Sequence, residues 1–169
     1  EIYTIADVIQ LQKPTIQAMC HSVPVKKPFK VGGFTVTALP VKHDVPCAAF
    51  VIQHKELGTL VFATDTYGFK YRIPANHWML ECNYVDDILQ DHIDAGDVPE
   101  SQRQRLLQSH MELQTTKAVL TGNDLTQCRT ILLIHLSTEN SYQQRVVSEI
   151  EKATGKLTYA AYAGLEITL

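Results

Sequence analysis

No apolar run in this sequence approaches the ~20 residues that a membrane-crossing helix needs, so no part of it reads as a transmembrane span. Its opening residues, Glu1-Ile2-Tyr3, show no secretory pattern. Cysteine is sparse and never spaced Cys-x-x-Cys, which argues against a zinc ribbon or a dithiol redox motif. Cys20, Cys47, Cys82 and Cys128 lie in or beside apolar segments and read as buried thiols of a reducing, cytoplasmic setting. An excess of charge of one sign is also lacking, with 15 basic residues against 18 acidic ones. A net charge of −3 makes the whole molecule a poor electrostatic magnet for nucleic acid, although a local basic strip can still act alone. There is no internal repeat and no low-complexity tract, hence no solenoid and no disordered array.

What is there is an ordinary globular composition. Apolar residues make up 45% of 169 positions and charged residues 20%, enough for one domain, 1–169, with a real core. The period of the pattern changes along the chain. The first half predicts short strands: 2–5, then 34–41, 48–54 and 59–64, with 79–82 as a further buried strand. A short helix is expected from Ala6 to Leu11, stopped by Pro14. The run from Lys26 to Phe34 reads as a basic turn entering a hairpin, with Gly32-Gly33 supplying positive φ. Its lysines read as a solvated loop, with a phosphate contact as the minor alternative.

The second half predicts helices. Asn83 is placed to cap one whose apolar face is Val85, Ile88, Leu89 and Ile93, ended by Gly96. Others are expected over 99–108 and 113–120, and from an Asn140 cap to Thr154, with Gly155 as the stop. Strands are expected at 130–135, 157–160 and 165–168. Strands early and alternating helices late imply an α/β layered domain.

Three polar residues sit where a strand gives way to a turn. His43 follows 34–41, Asp65 follows 59–64, and His135 ends 130–135. Strand ends can converge on one rim of a sheet, where layered folds place ligands. Two imidazoles and a carboxylate suit zinc or a harder divalent ion. Taken singly, a strand-end histidine is ordinarily a polar boundary residue, and Asp65 could be a turn or cap residue.

The local wording decides between these readings. His43-Asp44-Val45-Pro46, Ala63-Thr64-Asp65-Thr66 and Ile134-His135-Leu136-Ser137-Thr138-Glu139-Asn140 occur in order, with one hairpin between the first two. They resemble ligand motifs of the metallo-β-lactamase superfamily. Within it they are most similar to the phosphodiesterase and nuclease branch: the RNase Z, RNase J, PhnP-like and YycJ-like proteins. Ser109-His110-Met111 resembles a further histidine segment of that branch.

The resemblance implies an αββα sandwich and two divalent ions, zinc or manganese, that share Asp65. It implies His43 on one ion and His135 on the other, with His110 as general acid or phosphate contact. It implies a phosphodiester substrate, single-stranded nucleic acid among the candidates. The His-x-His-x-Asp-His segment of that superfamily is absent from these 169 residues. The expectation is therefore an N-terminally truncated domain that lacks the first strands, binds metal weakly on its own, and self-associates through an exposed sheet edge. A non-catalytic interaction module with a degenerate site is the alternative, and a thioester or lactam substrate a third reading.

Adjacent strand side chains diverge, which argues against Asp44 as the partner of His43. Glu81, in Glu81-Cys82-Asn83, reads as structural, with an outer place near the metals. His21, His54, His77 and His92 carry no motif and read as solvated.

Overall fold

The change of period becomes a change of layer. The computed structural model describes residues 1–169 and every side chain except those of Glu100 and Gln102. The chain opens with β1 (Ile2–Thr4), α1 (Ala6–Gln10), α2 (Pro14–Gln17) and β2 (Cys20–Ser22). β1 and β2 pair in parallel as a small separate sheet. Seven strands then build the main sheet in sequence order: β3 (Pro28–Val31), β4 (Phe34–Val41), β5 (Cys47–His54), β6 (Gly58–Ala63), β7 (His77–Glu81), β8 (Thr130–Ile134) and β9 (Leu157–Ala160). From β3 to β6 neighbours are antiparallel and joined by short turns. From β6 to β9 they are parallel.

Parallel neighbours need crossovers, and the helical half of the sequence supplies most of them. β7 reaches β8 through α3 (Asp86–Asp94), α4 (Glu100–Ser109) and α5 (Leu113–Thr121), and β8 reaches β9 through α6 (Gln143–Thr154). Two registered rows cross the sheet beneath these helices, Val61–Trp78–Ile131 and Ala63–Leu80–Leu133. All six side chains are buried, and they share one core with Ile88 of α3, Leu113 and Leu120 of α5, and Val146 and Ile150 of α6. On the opposite face, Ile5 and Val23 pack on Ala38, with Tyr3, Val8 and Phe50 around them.

The direction of the strands fixes where a site can lie. β4 and β6 both run antiparallel to β5, and β7 and β8 run parallel to β6. The C-terminal ends of β4, β6, β7 and β8 therefore share one rim. His43, Asp65, Glu81 and His135 all stand at those ends.

Several local expectations need correction. Asn83 does not cap α3, whose N-cap is Val85. Its side chain instead donates to the His135 carbonyl at 2.7 Å. Asn140 does not cap α6, which starts three residues later behind Tyr142. Asn140 Oδ1 meets His92 Nδ1 at 3.1 Å. Both asparagines hold loops together, and such tertiary pairings leave no periodic trace in the sequence. α5 is capped by Glu112, whose carboxylate accepts from the Gln114 and Thr115 N–H groups. Residues 165–168 form no strand, and α2 and β2 arise where the sequence carries no periodic signal. Gly155, in the left-handed region at φ 65°, ends α6 as the pattern predicts.

His77 is not solvated. It is 1% exposed at the start of β7, and neither ring nitrogen is in hydrogen-bonding geometry with a partner. Its lack of a motif carried no information about burial, because it sits in registry between Leu60 and Thr130 inside the sheet. The thiols divide: Cys82 and Cys128 are buried, while Cys20 and Cys47 are partly exposed.

Candidate functional site

Two strand exits adopt a backbone that ordinary residues avoid. Asp65 has φ 53° and His135 has φ 59°. A left-handed conformation costs a non-glycine residue on the order of 1–2 kcal/mol, and such residues gather at functional sites. Each stands two residues beyond the buried row Ala63–Leu80–Leu133, so both chains turn at the same level of the sheet. The turn after β8 is stitched to the exit of β7. The Cys82 N–H donates to the Ile134 carbonyl at 3.1 Å, the Ser137 N–H to the Asn83 carbonyl at 2.8 Å, and the Asn83 amide to the His135 carbonyl.

Asp65, His110 and His135 meet at this rim. One ligand-capable atom from each lies within 4.8 Å of the other two. The imidazoles of His110 and His135 stand edge to face at 4.9 Å between centroids. Asp65 and His135 side chains are each 41% exposed, so the cluster opens to solvent. Asp65 Oδ1 lies 3.6 Å from His135 Nδ1. The Thr64 hydroxyl donates to Asp65 Oδ2 at 3.3 Å and lies 3.2 Å from the same His135 nitrogen.

Glu81 lies beneath the cluster. It is fully buried, and a buried carboxylate needs partners on both oxygens. Oε1 accepts from His110 Nδ1 at 2.6 Å and lies 3.2 Å from His135 Nδ1. Oε2 accepts from the Thr66 N–H at 2.8 Å. One carboxylate thus orients two imidazoles and the loop after Asp65. The Glu81 hydrogen bond raises the His110 pKa above the ordinary imidazole value. Burial opposes the rise, and the charges of Glu81, Asp65 and Asp44 add to it. With Nδ1 committed, Nε2 is the nitrogen His110 has left to offer.

His43 stands one ring further out, 5.6 Å from His110 between centroids. Its Nδ1 meets the Ser109 carbonyl at 2.8 Å, and its Nε2 lies 3.0 Å from Asp44 Oδ1. The expectation that Asp44 points away from His43 is therefore wrong. Residues 42–46 have left the strand, so the alternation of strand side chains no longer applies. Asp44 also lies 3.9 Å from the Arg105 guanidinium.

The structure thus gathers Asp65, His110 and His135, with His43 adjacent and turned toward Asp44. Glu81 lies buried behind them, against both inner imidazoles. A charged residue ending an otherwise buried strand, His-Trp-Met-Leu-Glu, is the sequence signal that marks it.

Neither a protein-family model nor a curated protein matches the sequence. Solved structures do. A metallo-β-lactamase fold protein from Bacillus subtilis, YhfI, superposes over 97% of this chain at a TM-score of 0.68 and 23% identity. The chain has the metallo-β-lactamase fold. It spans 63% of the length of YhfI. The short form of human tRNase Z matches over 99% of this chain and 66% of its own, at a TM-score of 0.60 and 14% identity. CmlA from Streptomyces venezuelae, a diiron β-hydroxylase, matches over 85% of this chain and 33% of its own, at a TM-score of 0.55 and 11% identity. Identities this low carry the architecture and no activity. No described helix is long and apolar enough to cross a membrane.

Within this metallo-β-lactamase fold, the donor set fits a divalent ion by its own chemistry. One carboxylate and two imidazoles suit zinc, manganese or iron. A buried carboxylate behind the imidazoles is the usual outer support of such a site.

Proposed function

We propose that this chain carries the catalytic rim of a metal-dependent hydrolase that cleaves phosphodiesters. The convergence of Asp65, His110 and His135 within 4.8 Å at an open strand rim is the observation that carries it. The order of the motifs around His43, Asp65 and His135 supports the phosphodiesterase branch, and a tRNase Z among the solved structures of this fold is consistent with it.

In this reading Asp65 and His135 are metal ligands, and His43 serves a second position once it leaves Asp44. Bound there, divalent ions supply Lewis acidity and a water of lowered pKa. Glu81 holds the two inner imidazoles in fixed tautomer and orientation. His110, its proton stabilised by Glu81, stands where it can protonate a leaving oxygen through Nε2. His110 is thus the general acid of the reading, although its position also allows ligation.

Calorimetric titration with zinc and manganese tests the ligand set. Asp65→Asn and His135→Ala are expected to weaken binding by more than the ~10–100-fold that loss of an outer partner costs. Hydrolysis of bis(p-nitrophenyl) phosphate tests the chemistry, on this chain and on any longer polypeptide that contains it. His110→Gln is expected to leave metal binding near wild type and to lower kcat by ~10²–10⁴. Absence of metal binding and of turnover in every form would remove the proposal.

A non-catalytic module is the second reading. It is favoured by the small donor set: among the described residues, only one group of three ligands comes together. Turnover by any form of the protein would exclude it.

A further inference from the structure

Beside the rim lies a cavity of about 570 Å³ whose lining includes Lys26, Lys42, Tyr67, Lys70, Tyr71 and Arg72. Four cations and no carboxylate line it, in a chain of net charge −3. Like charges gathered in this way repel one another unless something anionic joins them. Among the described residues, none of the three lysines has an ion-pair partner. Arg72 donates to the Gly122 carbonyl.

Aromatic rings interleave with the cations. Lys42 Nζ lies 5.9 Å from the centroid of Tyr67, and Lys70 Nζ lies 5.8 Å from that of Tyr71. Tyr71 is held from behind. The Tyr71 hydroxyl donates to the Pro40 carbonyl at 2.8 Å, and buried Phe69 stands edge-on to both Tyr71 and Trp78. Tyr67 is 37% exposed, so part of its ring is free to meet a ligand.

The cavity is continuous with the site. Lys42 precedes His43, Tyr67 follows Asp65 by two residues, and the Tyr67 N–H donates to the Lys42 carbonyl at 3.3 Å. Tyr67 and Thr115 line this cavity and also a second one, of about 460 Å³, that His110 lines.

We propose that this groove binds single-stranded nucleic acid, stacking a base on Tyr67 and seating the flanking phosphates on Lys26, Lys42 and Lys70. It thereby leads the strand to the Asp65–His110–His135 rim, a last step that rests on the phosphodiesterase reading. Every base presents a π-face to an aromatic ring, and every phosphate a charge to an ammonium, so stacking platforms within a basic groove bind without sequence preference. In a duplex those faces are already stacked on one another, which makes the groove selective for single strands.

The test is fluorescence anisotropy with a labelled oligothymidylate of about 12 nucleotides, in EDTA so that hydrolysis plays no part. Affinity is expected to fall with salt by a log–log slope of ~0.7 per phosphate engaged. Tyr67→Leu is expected to weaken binding about tenfold or more, and Tyr67→Phe to retain it. Lys70→Glu is expected to weaken it at least as much and to flatten the salt slope. Lys55→Glu makes the same change of charge at the far end of β5 and is expected to leave binding near wild type. An oligouridylate arm tests whether the groove accepts the ribose strand as well, and affinity for either strand supports the proposal. Failure to bind both strands would overturn it, as would equal affinity for a duplex, tighter binding of an acidic polyglutamate peptide, or equal losses from Lys55→Glu and Lys70→Glu. Metal titration of Asp65 and His135 is read separately, so loss of the groove and loss of the catalytic reading are distinguishable.

Discussion

Glu81 and His77 are buried on the same strand, and they differ in what answers their polarity. Glu81 meets two imidazoles and a backbone N–H, and the site is built upon it. Replacing it by glutamine removes the charge while keeping the shape, so metal affinity is expected to fall by ~10–100-fold as the imidazoles lose their orienting partner. Competition with a chelating dye measures that fall. Neither ring nitrogen of His77 meets a partner in hydrogen-bonding geometry, although the Leu57 backbone lies near enough to oppose the fall of its pKa. Burial, with the charge of Arg129 second, pushes its pKa below the ordinary imidazole value.

The sign of that linkage is definite. Above the unfolded value of about 6.5, His77 is neutral in both states and the folded state bears no penalty. As the pH falls toward the depressed folded value, the unfolded chain takes a proton that the folded chain refuses, and stability declines. His77→Leu is therefore expected to lose less thermal stability than wild type between about pH 7.5 and about pH 5.5. Melting curves of the metal-free protein check it, and parallel losses in the two proteins would refute it.

At the scale of elements, the site depends on how two strands end. β7 and β8 are parallel neighbours, and their exits are tied by Asn83. Asn83→Ala removes the bond to the His135 carbonyl and is expected to cost about 1–3 kcal/mol, with weakened metal binding as the β8 turn loosens. A larger loss is expected one level down. Leu133 is fully buried in the row beneath the site, and Leu133→Ala is expected to cost about 2–5 kcal/mol in denaturant unfolding. The two variants separate anchoring of the turn from support of the sheet: Leu133→Ala should lower stability more than it lowers affinity, and Asn83→Ala the reverse.

For the whole molecule, one face of the sheet is clothed by helices and the other only in part. Phe29, Val31, Phe34, Val36 and Ile52 line an open apolar hollow on the second face, and β3 is an edge strand of the main sheet. Phe34 is 42% exposed there. The expectation from such a surface is association of this chain with itself. Sedimentation velocity is expected to show concentration-dependent oligomers that Phe34→Glu suppresses. A monomer at all concentrations would count against that expectation.

Much of this was legible beforehand. Alternation of apolar residues marked β4, β5 and β6, helical spacing marked α3, and the wording around His43, Asp65 and His135 marked the rim. These signals are local: a strand or a turn writes its period and its breakers into neighbouring residues. The partners of Asn83 and Asn140, the burial of His77 and the pairing of His43 with Asp44 are different in kind, because each depends on a residue or a strand exit that only packing brings near. The sequence by itself determined that strands end in metal-capable side chains and that helices follow to cover them. Only the tertiary structure decided which of those side chains meet, because the shared direction of β4, β6, β7 and β8 and the buried carboxylate of Glu81 bring together residues 25 to 70 positions apart in the chain, a distance over which no local preference acts.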